Sequence, residues 1–198
     1  MNKYRQPILC LASASPRRRE LLIQLGCQVQ VQPIVMDESR QKDEPPADYC
    51  VRLALAKNRL AVSQFNPALP VITADTIVVL DDETLGKPKD KKTVVATLQR
   101  LSGVEHQVMT AIAVYHHGEV IHDIQISRVQ FAELDESWIS AYANTEEPYD
   151  KAGAYGIQGT AGRWIETITG SYSGIMGLPL FETARLLTKL DIMSDKTL

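Results

Sequence analysis

Read for the spacing of its apolar positions, the chain divides into short blocks of two periods. "PILCLA" (7–12) is a brief apolar run and predicts a buried strand, while "PRRRELLIQLG" (16–26) has helical spacing and closes on Gly26. "CQVQVQPIV" alternates with period two and predicts a second strand; "MDESRQKDEPP" is a charged, proline-ended loop. Helical spacing returns over Ala47–Gln64. The long β-branched run "LPVITADTIVVL" is the best central strand, and "DDETLGKPKD" after it reads as a turn-rich loop. A helix over Lys91–Leu101 precedes two strands, His106–Tyr115 and Val120–Phe131, which turn at "HHGE". A helix over Glu136–Ala143 leads into the glycine-rich "DKAGAYGIQGTAG". A strand "RWIETITG" and a helix over Pro179–Leu190 follow, and the polar "DIMSDKTL" is expected to fray.

Interspersed helices and strands with an antiparallel hairpin predict an α/β protein with a mixed central sheet flanked by helices. With no repeat, no low-complexity tract and no linker, residues 1–198 are expected to form one domain, large enough to divide into two lobes around a cleft. Twenty-one Lys and Arg against 24 Asp and Glu leave a net charge of -3. Such a chain is not built to coat nucleic acid, so any basic cluster is local and suits a small anion. Cys10, Cys27 and Cys50 show no CxxC spacing and read as buried, reduced thiols. No long apolar run precedes the arginines of 17–19, so neither a signal peptide nor a membrane span is expected, and the location expected is cytoplasmic.

Within this frame a few residues violate local rules. Ser15 suits an N-cap and Pro16 the first helical position, yet Arg17, Arg18 and Arg19 load cations onto the positive end of the helix. An anion there reverses the penalty, since free N–H groups and guanidinium forks suit phosphate oxygens; a solvated basic helix end is the alternative. Asp75 interrupts an apolar strand, either as a metal ligand or general base at a cleft, or as a cap of N–H groups at a bulge. Cys50, Leu53, Lys57 and Leu60 share one helical stripe, while Arg52 and Arg59 lie off it. Lys57 therefore either snorkels to solvent or points into a cleft toward phosphate. Glu38 could join Asp75 in holding Mg²⁺, or be an ordinary exposed loop acid. Lys87, between Gly86 and Pro88, is a positioned cation or a plain turn residue. In "KAGAYGIQG" the glycines permit close approach to a flat ligand and Gln158 could read a base edge; a surface loop needing positive φ would look the same. His106, His116, His117 and His122 form no zinc spacing and read as structural or exposed, and no GxSxG elbow occurs. Cations, two or three acids and an amide without a nucleophile suit metal-assisted attack of water on a phosphate chain.

"LASASPRR", "ADT" followed by "VVL", "GKP" and "GLPL" resemble the Maf family of nucleoside triphosphate pyrophosphatases, in the family's order from Ile8 to Leu190. The sister branch acting on 7-methyl-GTP shows a tryptophan after the proline, "SDQ" for "ADT" and Ser-Glu for Ile-Gln. Arg17, Thr76 and Gln158 at those places resemble the dTTP/UTP branch instead. The resemblance implies a Maf/ITPase-like two-lobed fold, a divalent cation (Mg²⁺ or Mn²⁺) and a homodimer. It implies hydrolysis of dTTP and UTP, and of modified pyrimidine triphosphates, between the α and β phosphates. Asp75 is then the proton acceptor, with Glu38 sharing metal or water binding; Ser13, Arg17, Arg18, Lys57 and Lys87 line the phosphate path; Arg17, Thr76 and Gln158 tune base choice. The family name derives from an effect on septum formation, so a binding module acting on cell division stands as the rival from another class. A site for 7-methyl-GTP or damaged purine triphosphates is the rival from the same class.

Overall fold

The computed structural model describes residues 6–65 and 67–194; residues 195–198 of the tail lie outside it. In chain order the elements are β1 (Ile8–Leu11), α1 (Pro16–Gln24), β2 (Gln28–Val31), α2 (Pro46–Phe65), β3 (Val71–Leu80), β4 (Glu83–Leu85), α3 (Lys91–Leu101), β5 (Glu105–His116), β6 (Glu119–Phe131), α4 (Glu136–Tyr142), β7 (Ile165–Thr169), α5 (Tyr172–Met176) and α6 (Leu180–Lys189). The strands form one mixed sheet of order β2-β1-β3-β5-β6-β7, with β4 on β3. β2, β1 and β3 run parallel, and β3, β5, β6 and β7 antiparallel.

Most blocks read from the sequence are present. Three points differ. β4 lies inside the segment expected to be loop: Asp81 and Asp82, at φ of 50° and 63°, make a tight hairpin turn, and three residues are too few to show a period. Arg163 and Trp164 sit in a 3₁₀ turn (Thr160–Trp164) ahead of β7, and α5 is a five-residue helix too short to read from spacing. The start of the tail is packed rather than frayed: Ile192 and Met193 lie against the α1–α6 layer and their N–H groups bond to the Leu187 carbonyl.

β3 is long, and its two faces meet different layers. Asp75, Ile77 and Val79 alternate with Ala74, Thr76 and Val78. α2 covers the first face, packing Cys50 and Ala54 on Ile77, Val79 and the small side chains of Ala111 and Ala113. On the second face α1 and α6 pack over Ile72 and Ala74, whereas α3, α4 and the aromatic pair Phe131–Tyr155 pack over Val78 and Leu80. Thr76 falls between the two layers. The same gap opens along the strand edge: β1 pairs with β3 at Val71 and Ile72, and β4 pairs from Val78 to Leu80. The edge between, Thr73–Ile77, carries no neighbouring strand. A cleft follows from this topology, with Asp75 and Thr76 on its floor.

Candidate active site in the cleft between the layers

The cleft has a volume of about 940 Å³, and every residue singled out above reaches it: Ser13, Arg17, Arg18, Glu38, Lys57, Asp75, Thr76, Lys87 and Gln158. They come from seven segments, from the β1–α1 connection to the loop before β7.

At the α1 end, the Ser15 side chain caps the helix by accepting from the Arg18 N–H at 3.5 Å, and no acid occupies the first turn. The three arginines have different fates. Arg18 turns inward. Its Nε donates to the Gly177 carbonyl at 2.9 Å, Nη1 to Ser13 Oγ at 3.2 Å and Nη2 to Thr76 Oγ1 at 3.2 Å. All three acceptors are neutral. Burial lowers the Arg18 pKa and the nearby Asp75 carboxylate opposes that, but a guanidinium stays charged in any case. Arg17 stays at the rim, 3.8 Å from Asp150. Arg19 is exposed. Ser13 Oγ also accepts from the Ser15 N–H at 3.2 Å, so with two acceptor positions used its proton is directed elsewhere.

On the floor, Asp75 is 5% exposed. Burial pushes its carboxyl above the usual carboxylate range, against the pull of Lys57 and Arg18. Lys57 does not snorkel to solvent but points into the cleft. Its ammonium sits between two carboxylates, 2.5 Å from Asp75 Oδ1 and 2.7 Å from Glu38 Oε1. Burial would raise the Glu38 pKa, but the Lys57 hydrogen bond and charge, with Lys87 and Arg18 behind it, hold it below its usual value.

Glu38 is held here by residues whose sequence positions gave no signal. Tyr49 on α2 donates its hydroxyl to the Glu38 carbonyl at 2.7 Å. One turn on, Arg52 donates to Ser39 O at 3.1 Å and forks onto Glu44 at 2.6 and 2.8 Å, while Arg40 bonds the Glu44 carbonyl. The solvent-facing edge of α2 thus pins the acidic loop, and Glu38, although exposed as a loop acid ordinarily is, is held at the cleft by Lys57. Lys87, just past β4, is exposed at the rim.

The opposite wall is the segment 147–160. Glu147 accepts from Tyr142 OH at 3.0 Å, and from the Thr160 N–H and hydroxyl at 3.1 and 3.0 Å. Lys151 bonds the Glu147 carbonyl and Asp150, each at 2.6 Å. The glycines serve this internal packing. Gly153, at φ of 69°, lies against Val78 and donates to Gly86 O at 3.2 Å. A Cβ on Gly156 would meet Lys151 Cε at 2.8 Å, and one on Gly159 would meet Glu147 Oε1 at 1.7 Å. Close approach is indeed the reason for glycine: the approaching groups are Val78 of β3 at Gly153 and the loop's own side chains at Gly156 and Gly159. Gln158 is exposed at its tip. The histidines lie away from the cleft: His106 is buried on Tyr155 OH at 2.7 Å, His116 and His117 stack at the hairpin turn, and His122 is exposed.

Among the described residues, no group of three or more His, Cys, Asp or Glu could hold a metal. Two carboxylates do converge on one cationic position, that of the Lys57 ammonium. A site with two protein carboxylates suits a hard cation that keeps waters and phosphate oxygens in its shell. Cys10, Cys27 and Cys50 are unpaired and buried, with thiol pKa values pushed up by desolvation, to about 11 for Cys27 and about 12 for Cys50. No described helix is long and apolar enough to cross a membrane.

A mixed sheet flanked by helices, with a cleft lined by acids and cations at its open edge, defines the class, an α/β protein. The sequence pattern of Maf-like protein matches residues 8–190, and the chain belongs to the Maf family. A dTTP/UTP pyrophosphatase of Neisseria meningitidis serogroup B is 45% identical over 192 residues, spanning 94% of this chain and 95% of the relative. One of Colwellia psychrerythraea is 49% identical, spanning 90% and 86%, and one of Bordetella avium 47%, spanning 94% and 96%. The Staphylococcus aureus Ham1 protein aligns at 15% identity and a TM-score of 0.45, covering 63% of this chain and 72% of that one.

Proposed function

We propose that the chain is a nucleoside triphosphate pyrophosphatase that hydrolyses dTTP and UTP, and pyrimidine triphosphates with modified bases, to the monophosphate and pyrophosphate. The observation that carries this is the buried Asp75 at the unpaired edge of β3, facing across one cleft an Arg18 whose hydrogen-bond acceptors are all neutral. The names of the relatives above support the same reaction for this chain.

In this reading Asp75 and Glu38 would hold a divalent cation, Mg²⁺ or Mn²⁺, at the position the Lys57 ammonium takes between them, leaving Lys57 to pair with the phosphate chain. The cation supplies charge neutralisation at the phosphate oxygens and a more acidic water. Asp75 takes the proton from the attacking water, the α–β anhydride bond breaks, and pyrophosphate leaves against the phosphate path of Ser13, Arg17, Arg18, Lys57 and Lys87. Ser13 offers its remaining proton, and the first turn of α1 the Arg17 N–H, since Pro16 has none and those of Arg18 and Arg19 bond to Ser15. Gln158 meets the base edge with a paired donor and acceptor, and Arg17 flanks it; Thr76 contributes to base choice through its hold on Arg18. The chain works as one domain, as a homodimer for which Phe181, 73% exposed, is an apolar contact, and in the cytoplasm, where unpaired thiols stay reduced. Any effect on septum formation follows from turnover of the nucleotide pool.

Product analysis with dTTP, UTP, CTP, GTP and 7-methyl-GTP, each with Mg²⁺ or Mn²⁺, tests the reading. Monophosphate and pyrophosphate from dTTP and UTP are expected. Diphosphate and orthophosphate would reject the bond, faster turnover of 7-methyl-GTP would reject the branch, and no turnover in folded protein would leave the binding module.

A further inference from the structure

Thr110, on β5, lies one layer behind the cleft, is fully buried and touches no candidate ligand position. Its hydroxyl donates to the Gly174 carbonyl at 2.8 Å and lies 2.9 Å from Thr76 Oγ1. A hydroxyl has one proton, so with that proton on Gly174 the bond to Thr76 runs the other way, from Thr76 to Thr110. Thr76 Oγ1 then keeps its lone pairs for the Arg18 Nη2 donor. Gly174 belongs to α5, whose left-handed C-cap, Gly177 at φ of 114°, presents its carbonyl to Arg18 Nε. The contacts close a ring from Arg18 through Thr76, Thr110, Gly174 and Gly177 back to Arg18, tying α1, β3, β5 and α5 together.

The ring is anchored from below. Ser127 Oγ, buried on β6, accepts from the Ser171 N–H at 2.9 Å and lies 2.9 Å from Gln125 Oε1. α5 sits so close that a Cβ on Gly174 would fall 2.4 Å from Gln125 Oε1. Arg18 is therefore fixed in three directions by acceptors that leave its charge unpaired.

We infer that Thr110 is a positioning residue for Arg18: by directing the Thr76 proton and the α5 carbonyls, it aims the guanidinium at the triphosphate. The inference rests on the reading of Arg18 as a phosphate ligand.

Two measurements test it. Affinity for inorganic tripolyphosphate in EDTA, by calorimetry, probes the phosphate half without base or turnover. Thr110→Val is expected to weaken it about tenfold, with Thr110→Ser near wild type. In parallel, kcat/KM for dTTP is measured in a cycle of Thr110→Val and Arg18→Met. A residue acting through Arg18 loses its effect once Arg18 is gone, so Thr110→Val is expected to change the Arg18→Met rate less than about twofold. Equal losses in both backgrounds, or wild-type affinity in Thr110→Val, overturn the inference. If Thr110→Val does not fold, Thr76→Ala opens the same ring at a less buried place, and additivity with Arg18→Met is again the overturning result. A wild-type chain that binds tripolyphosphate but does not hydrolyse dTTP or UTP removes the pyrophosphatase reading, and the affinity series still decides the ring.

Discussion

On one side of the cleft Asp75, Lys57 and Arg18 stand on a strand and two helices; on the other, Gln158 and Lys151 stand on a loop with short 3₁₀ turns. The first wall is rigid because its backbone bonds are used within α1, α2 and the sheet, and its side chains are aimed by mutual ion pairs and by Ser13, Thr76 and Gly177. The second wall has few backbone bonds of its own, and the Glu147 carboxylate gathers it by three hydrogen bonds. In the proposed reading, charge handling falls to the regular wall and recognition of the base to the irregular one. That division follows physical demand: developing charge needs fixed dipoles, whereas a base edge needs backbone close at hand.

The sharpest way to break the comparison is on the regular wall. Asp75→Asn removes the proton acceptor without changing shape, and a loss in kcat of about 10² to 10⁴ is expected. Circular dichroism and the thermal midpoint check that the variant is folded; an active variant would take Asp75 out of the reaction. The pH profile carries the same signature. Burial raises the Asp75 pKa, so its proton is taken up at a higher pH than that of an ordinary aspartate. In the metal-free protein the Asp75 carboxyl is therefore expected to titrate above the usual value of about 3.9, read from its side-chain NMR signal against pH, and Asp75→Asn should remove that titration.

The two walls also differed in how far they could be read from the sequence. Asp75 in a β-branched strand, Lys57 on an apolar stripe and arginines at a helix start each break a local rule, and broken local rules are visible one segment at a time. What remained hidden was non-local. Lys57 bridges acids 18 and 19 positions away, and no period states that. Thr110 looks like any strand threonine until β5 is set beside β3. Glu147 lies among exposed acids before the glycine loop, and only the folded loop shows why Gly159 has no side chain. β4 and α5 were too short for a period, although both shape the cleft.

Smaller effects separate the walls further. Arg17→Ala removes a charge-assisted phosphate contact worth about 1.5–3 kcal/mol, a fall in kcat/KM of roughly 10- to 100-fold. Tripolyphosphate affinity should fall with it, because Arg17 belongs to the charged wall. Gly159→Ala should act on the other wall alone. Its Cβ would displace the Glu147 carboxylate, which gives way only by leaving Thr160 and Tyr142. The KM for dTTP is expected to rise about threefold to tenfold while tripolyphosphate affinity stays near wild type. An equal loss on both probes would show that the walls are not separable.

The smallest expected effect concerns the pin beneath Glu38. Hydrogen bonds from Arg52 hold Glu44 at a pKa of about 2, well below its ordinary value of 4.5. A depressed carboxylate stabilises the fold above its ordinary pKa and loses that contribution as pH falls through its folded value. Glu44→Gln should therefore lower the thermal midpoint slightly at pH 7, and the difference from wild type should shrink toward zero as pH approaches 2. Because Arg52 also holds Ser39, next to Glu38, kcat should fall about twofold to threefold by loosening that carboxylate rather than removing it. A variant that loses midpoint but keeps full kcat would show that Tyr49 and Lys57 suffice to position Glu38, and would restrict the pin to a structural part.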